Sequence, residues 1–334
     1  MRRPAALTPL GALLFALLCA AGVIAAAGGD PAAAFRALAL GAVGSANGVL
    51  RTLAKATPLL FTGLAVALAL RAGLFNIGAE GQLVAGGLAA AWAGFAVPGL
   101  SMAVHLPLAL GAGVLAGAVW GFVPGLLRAL RGTHEVIVTI MMNHLAFELT
   151  RWLVNGPLKD PGTLATATPH VLPTARLWSL PGGTHFSAGF GLALASAAAV
   201  AFLFRRTALG FEIRATGLGP EAARAGGVDV RRTLALTMAL SGGLAGLAGA
   251  VEVLAVHKRF YDAFSPGYGF DSIAVALLGG LSASGVAASA LLFGALNAGA
   301  PTMEALTGTP RQISGIVQAL VILAMGARLF RRRP

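Results

Sequence analysis

Apolar residues run along this chain in long blocks joined by short polar or glycine-rich stretches. The blocks cover roughly residues 10–27, 56–72, 82–98, 104–127, 135–155, 187–204, 233–256, 271–300 and 313–329. Several approach the ~20 apolar residues that an α-helix needs to cross a bilayer. Block 271–300 is too long for one ordinary span and short for two. The stretch Gly279-Gly280-Leu281-Ser282-Ala283-Ser284-Gly285 divides it and predicts a turn there. The first block follows Arg2 and Arg3 but exceeds the about 7–15 apolar residues of a signal peptide, so it predicts a retained helix.

Composition supports a membrane class. Hydrophobic residues make up 57% of the 334 positions and charged residues 11%, against about 25% charged in soluble domains. The net charge of +12 fits nucleic-acid binding less well than topology. Its basic residues cluster between apolar blocks, as the cytoplasmic loops of membrane proteins do. Arg2 and Arg3, then Arg128 and Arg131, then Arg205, Arg206, Arg214, Arg224, Arg231 and Arg232, and finally Arg328 and Arg331 to Arg333 mark one side. Both termini then lie in the cytoplasm, the span count is even, and 271–300 crosses twice or enters and returns. The expectation is an all-α polytopic membrane bundle, a single domain over 1–334, with about ten transmembrane segments and one or two broken or re-entrant helices. The longest inner loop is 205–232 and the longest outer loop 156–186. Cys19 is the only cysteine, which excludes an internal disulfide and a cysteine-based metal site. No metal is expected.

Gly113, Gly117, Gly121 and Gly125 fall on one face of the fourth block, and Gly242 and Gly246 repeat the spacing in the seventh. Small residues at this spacing let helix backbones approach closely. Polar side chains inside apolar blocks are costly and need a reason. One cluster is Asn76, Glu80 and Gln82 among Gly78 and Gly81, where glycine permits either a broken, re-entrant backbone or an ordinary cytoplasmic turn after Arg71. A second is Thr133-His134-Glu135, followed by Asn143, His144 and Glu148. Thr133 is positioned to cap that helix, with Glu135 in its first turn, and Asn143 and His144 are expected to face the bundle interior. A third is Tyr268-Gly269-Phe270-Asp271-Ser272 at the outer side, with Asp271 at a helix N-terminus and Tyr268 and Phe270 suited to a membrane interface or to stacking on a flat solute. Glu252 is an isolated acid expected to pair across helices.

Within 205–232, Pro220 after Gly219 starts a helix, Glu221 suits its first turn, Ala222, Ala223 and Ala225 favour it, and Gly226-Gly227 stops it. This helix of about two turns is marginal alone in water; it either gains stability by docking in a groove on a partner or serves as a solvated connector lying along the membrane.

These residues resemble a family. Glu221-Ala222-Ala223 followed by Gly226 is similar to the coupling loop of ATP-binding-cassette importer permeases. Phe75 to Gln82 (FNIGAEGQ), Gly132 to Asn143 and Gly267 to Gly279 resemble, in order and spacing, motifs of the nucleoside and simple-sugar permeases within the branched-chain amino acid and ribose permease superfamily. His134 stands where that pattern has Asn, and His144 where Tyr is common. The resemblance covers roughly residues 55–330. It implies a nucleoside-importing permease, with a simple-sugar permease as the alternative. It is no enzyme: it binds no cofactor, and ATP with its magnesium is handled by a partner ATPase. Further partners are a second permease subunit and an extracytoplasmic substrate-binding protein. No phosphate-binding loop of the Gly-x-x-x-x-Gly-Lys-Ser/Thr type occurs in the sequence. The residues expected along the solute path are Asn76, Glu80, Gln82, Asn143, Tyr268, Phe270 and Asp271. Those expected to couple to the ATPase are Gly217, Pro220, Glu221, Ala222, Ala223 and Gly226. The rival is an ion-coupled transporter using Glu80, Glu252, Asp271 and the histidines as a relay.

Overall fold

The computed structural model describes residues 9–180 and 183–330, so the basic ends Arg2, Arg3 and Arg331 to Arg333 lie outside the described residues. The described chain is helical, in the order α1 (Pro9–Ala26), α2 (Pro31–Val43), α3 (Ala46–Arg71), α4 (Ala79–Ala96), α5 (Met102–Arg131), α6 (Glu135–Asn155), α7 (Gly189–Arg206), α8 (Ala208–Leu218), α9 (Pro220–Ala225), α10 (Val230–Val251), α11 (Tyr268–Leu278), α12 (Ala283–Thr307) and α13 (Ile313–Phe330). Among the described residues, five segments are long and apolar enough to cross a membrane: α3, α5, α7, α12 and Val230–His257, which extends α10.

Local chemistry sets the helix ends. The side chains of Asp30, Ser45, Thr207, Asp229 and Ser282 each accept a backbone N–H in the first turn of the helix that follows, satisfying donors the helix leaves free. Pro31 and Pro220 open α2 and α9, where a missing N–H costs nothing. Gly132 (φ 64°) and Gly308 (φ 66°) close α5 and α12 in the left-handed conformation. Thr133 does not cap α6 as its position suggested. His134 occupies the cap position without a side-chain bond, and the Thr133 hydroxyl is buried with no hydrogen-bond partner among the described residues.

Apart from α2, which runs alongside α12 in the same sense (Leu38 against Gly299, Gly41 against Thr302), successive long helices run in opposite directions, so the bundle has two ends: the basic end, which carries 205–232, and the far end. The α5–α10 seam is the tightest, because glycine faces glycine. A Cβ on Gly117 would lie 2.6 Å from the Gly246 Cα, and one on Gly121 would lie 2.5 Å from the Met238 carbonyl oxygen. The small-residue pattern in these two segments is therefore a backbone-on-backbone contact. α1 packs on α13. Gly29, just after α1, approaches Thr309, just before α13, so both helices meet at the far end and their outer termini share the basic end.

Two elements differ from the pattern of apolar blocks. α2 was not expected, and α3 begins at Ala46 rather than near residue 56. Arg51 and Lys55 had lowered the hydropathy of that first part. The block 271–300 does divide at 279–282, but α11 has only 11 residues, or about 16 Å, and cannot span ~30 Å of hydrocarbon by itself. Its N-terminus sits at mid-depth and not at the outer surface: the Thr62 hydroxyl, midway along α3, donates to the Tyr268 carbonyl at 3.4 Å. Residues 258–267 cover the remaining depth as non-helical chain coming down from the far end.

Candidate functional site

The polar residues in the middle of the bundle form one knot. α3 ends at Arg71 on the basic end, and residues 72–78 return to mid-depth before α4 starts. The broken-backbone alternative for this segment is the one observed. Asn76 donates through Nδ2 to Gln82 Oε1 and to Ser241 Oγ, both at 2.8 Å, and accepts from Gln82 Nε2 at 3.1 Å. The Ser241 hydroxyl in turn donates to the Ala65 carbonyl at 2.6 Å. Asn143, on α6, accepts the Gly81 N–H at 2.8 Å and donates to the Ile77 carbonyl at 3.0 Å. Glu80, in the first turn of α4, reaches across to accept the Gly269 N–H of α11 at 2.6 Å. One carboxylate thereby serves two helix N-termini, where negative charge is stabilised. A Cβ on Gly269 would lie 2.5 Å from the Glu80 Cα, so only glycine permits this approach.

Of the residues expected along the path, Asn76, Glu80, Gln82 and Asn143 are thus brought together, all at most 3% exposed. Ser241 completes their network and was missed. A lone serine beside Gly242 carries no sequence signal. Tyr268 is buried and is not an interface residue, whereas Phe270 is 43% exposed on the surface of the bundle. Asp271 is half-buried in the first turn of α11. His144 is exposed and packs edge-on against Phe147, which corrects the expectation that it faces inward. An apolar block reads the same on every side, so it could not separate His144 from its buried neighbour Asn143.

Above the knot, toward the far end, lies a cavity of about 520 Å³. Its walls come from α3 (Arg51, Lys55), the segment 252–268 and α12 (Asn297), with His185 from the 156–188 connection. Among the described residues the nearest ion-pair neighbour of Glu252 lies on its own segment, while Lys55 of α3 acts on it electrostatically from across the cavity. Residues Glu252–His257 form a π-helix, whose wider turn brings residues five apart onto one face. The Glu252 carboxylate lies 3.6 Å from His257 Nε2. Tyr261 and Phe264 pack edge-on around the His257 ring at 5.0 and 5.8 Å, and Tyr268 closes the inner wall.

At the basic end, α8 and α9 make a hairpin of short helices, α9 being the predicted helix but only 6 residues long. Gly217 abuts the Arg71 carbonyl, the last residue of α3. Arg71 in turn donates to the Leu281 carbonyl at 3.1 Å, inside the α11–α12 break, and stacks over Phe204 of α7 at 5.4 Å. The hairpin is therefore mechanically tied to three helices. Its outer surface is an open apolar groove of about 350 Å³ lined by Phe211, Leu218, Ala222, Ala223, Gly226 and Val228, with Leu218 92% exposed. Glu221 faces solvent and pairs with Arg224 at 2.9 Å.

The branched-chain amino acid transport system / permease component family matches residues 48–326. The chain belongs to that family. This permease is 41% identical to the guanosine ABC transporter permease NupP of Bacillus subtilis, over 95% of its own length and 92% of the relative's. It is 35% identical to the nucleoside ABC transporter permease NupB of Lactococcus lactis, over 96% and 91%. It is 36% identical to the glucose ABC transporter permease TsgB13 of Haloferax volcanii, over 98% and 88%. No solved structure matches it significantly. The permease is a transport subunit of the ABC class and no enzyme in its own right.

Proposed function

We propose that this permease imports nucleosides, purine nucleosides first, by alternating access driven by a separate ATPase. The similarity to the guanosine and nucleoside permeases along nearly the whole chain carries this reading. The cavity supports it, being within the 300–1,000 Å³ range of small-molecule sites and mixing aromatic with polar walls. In this reading the chain makes ten membrane segments: α1, α3 to α7, α10, the 258–278 segment, α12 and α13. The basic end, with both termini, faces the cytoplasm, and the far end faces the binding protein.

The partner ATPase docks in the groove of the α8–α9 hairpin. Its closure pushes Pro220 to Ala223 and, through Gly217 and Arg71, moves α3 against the α11–α12 break. Solute passes from the far-end cavity past Tyr268. Asn76, Glu80, Gln82 and Asn143 hold the broken backbone that forms the cavity's floor. Phe270 and Asp271 lie where a second permease subunit completes the path. The cofactor role stays with ATP and magnesium on the partner.

The test is uptake of labelled guanosine, uridine, ribose and glucose by liposomes holding the complete complex. Concentrative, ATP-dependent guanosine uptake is expected. Transport of glucose or ribose alone would replace the reading with the simple-sugar one, which the similarity to TsgB13 favours. Uptake by the permease without an ATPase would instead favour the ion-coupled rival. Glu221→Arg reverses the charge at the docking groove and is expected to abolish uptake and stimulated ATP hydrolysis. Unchanged rates would reject the coupling role.

A further inference from the structure

The knot at mid-depth satisfies itself, but the cavity above it does not. Glu252 is 5% exposed, and among the described residues its carboxylate accepts no hydrogen bond from the protein. Its one ion-pair neighbour, His257, is 3.6 Å away, beyond hydrogen-bonding distance. The His257 ring is turned to Tyr261, with Nδ1 3.3 Å from the phenol oxygen. A buried acid without a donor is costly. This one sits where the helix has been widened into a π turn, with Lys258 closing it at φ 58°. Such turns re-aim side chains at functional sites. Here the turn presents Glu252 and His257 to the same cavity.

The cavity has three kinds of wall. The carboxylate of Glu252 offers two acceptors side by side. Lys55 and Arg51 on α3 offer cationic donors from the adjacent wall. His257, Tyr261 and Phe264 supply aromatic surface, on which any base can stack.

We propose that this cavity reads the nucleobase, with Glu252 accepting the adjacent N1–H and exocyclic 2-amino donors of a 2-amino-6-oxopurine while Lys55 donates to its 6-oxygen. Among the common bases only guanine offers two neighbouring donors beside an acceptor along one edge. Adenine reverses the pattern. Its N1 lone pair faces the carboxylate and its amino group faces the lysine, so both contacts become repulsive. Uracil offers one N–H and cytosine one amino group, so each leaves part of the carboxylate unpaired. The sugar is left toward Asn297, whose Oδ1 already accepts from Gln318 Nε2 at 3.0 Å. Its Nδ2 therefore remains to donate to a hydroxyl.

This inference rests on the nucleoside reading, and the experiment separates the two. Binding of labelled guanosine is measured on the permease–ATPase complex in nanodiscs, without the binding protein, so that the latter's selectivity does not enter. On the wild type, 7-deazaguanosine is expected to compete as well as guanosine, inosine more weakly, and 1-methylguanosine and adenosine at least about 30-fold worse, the scale of hydrogen bonds to a charged group. Glu252→Gln places an amide N–H₂ against one of the donors. It is expected to weaken guanosine binding by a similar factor and to leave adenosine binding equal or stronger. Should that variant fail to fold, the analogue series on the wild type decides alone. Equal competition by 1-methylguanosine, a Glu252→Gln complex that still prefers guanosine, or no saturable binding at millimolar guanosine would each overturn the assignment. Uptake by the intact system is read in parallel. If it carries no nucleoside at all, the function itself is wrong, whereas nucleoside uptake with any of the three results above refutes only the base-reading site.

Discussion

Replacing Gly117 by alanine adds one methyl group at the centre of the α5–α10 seam. The new Cβ would stand 2.6 Å from the Gly246 Cα and 2.8 Å from the Gly246 nitrogen, with the Gly242 carbonyl nearer still. All three obstacles are backbone, so no rotamer change relieves them. Carbon atoms rest at about 3.5–4.0 Å, so the helices must separate by about 1 Å. A gap of that size forfeits a quarter to a half of each dispersion contact along the seam. In lipid that packing has no hydrophobic effect behind it. The expected cost is about 1–3 kcal/mol, the usual range for overpacking. Gly111 provides the control. It lies on the same helix with nothing within 4 Å of a Cβ, so Gly111→Ala should be neutral or slightly stabilising through helix propensity. Thermal stability in detergent, followed by fluorescence-detected gel filtration, compares the two. At about 2–4 °C per kcal/mol, Gly117→Ala should melt several degrees below the wild type and Gly111→Ala should not. Equal melting of both variants would refute the claim that this seam is a backbone contact.

The mid-depth knot predicts a coupled pair. Asn76→Ala strands the Gln82 amide and removes a donor to Ser241, which should cost about 2–4 kcal/mol. Asn76→Ala and Ser241→Ala together should cost clearly less than the sum of the single variants in a double-mutant cycle read by the same melting assay. Additive losses would mean that the Asn76–Ser241 hydrogen bond contributes no coupling energy. The Thr133 hydroxyl, buried without a partner, predicts the opposite sign: Thr133→Val should be neutral or stabilising, since it removes an unsatisfied group at constant shape. A loss of more than about 1 kcal/mol would show that the hydroxyl has a role the fold does not reveal.

The apolar blocks, the glycines spaced by four, the basic clusters and the Pro220 and Gly226-Gly227 signals were enough to determine the helical membrane class, the division of 271–300 and the short helix that opens at Pro220. Those properties are local. A long apolar block has few fates in water, and glycine at every fourth position marks a close face whatever the partner is. Depth and partnership are not local. That α4 and α11 both begin in the middle of the bundle, that Glu80 caps a helix 189 residues away in sequence, and that Ser241 closes the Asn76–Gln82 network were decided only when α3, α10 and α11 packed together. The same holds for the cavity. In the sequence Arg51 and Lys55 are two charges ahead of an apolar block and Glu252 is an isolated acid; a sequence records the cost of each polar group but not the empty space that several of them share.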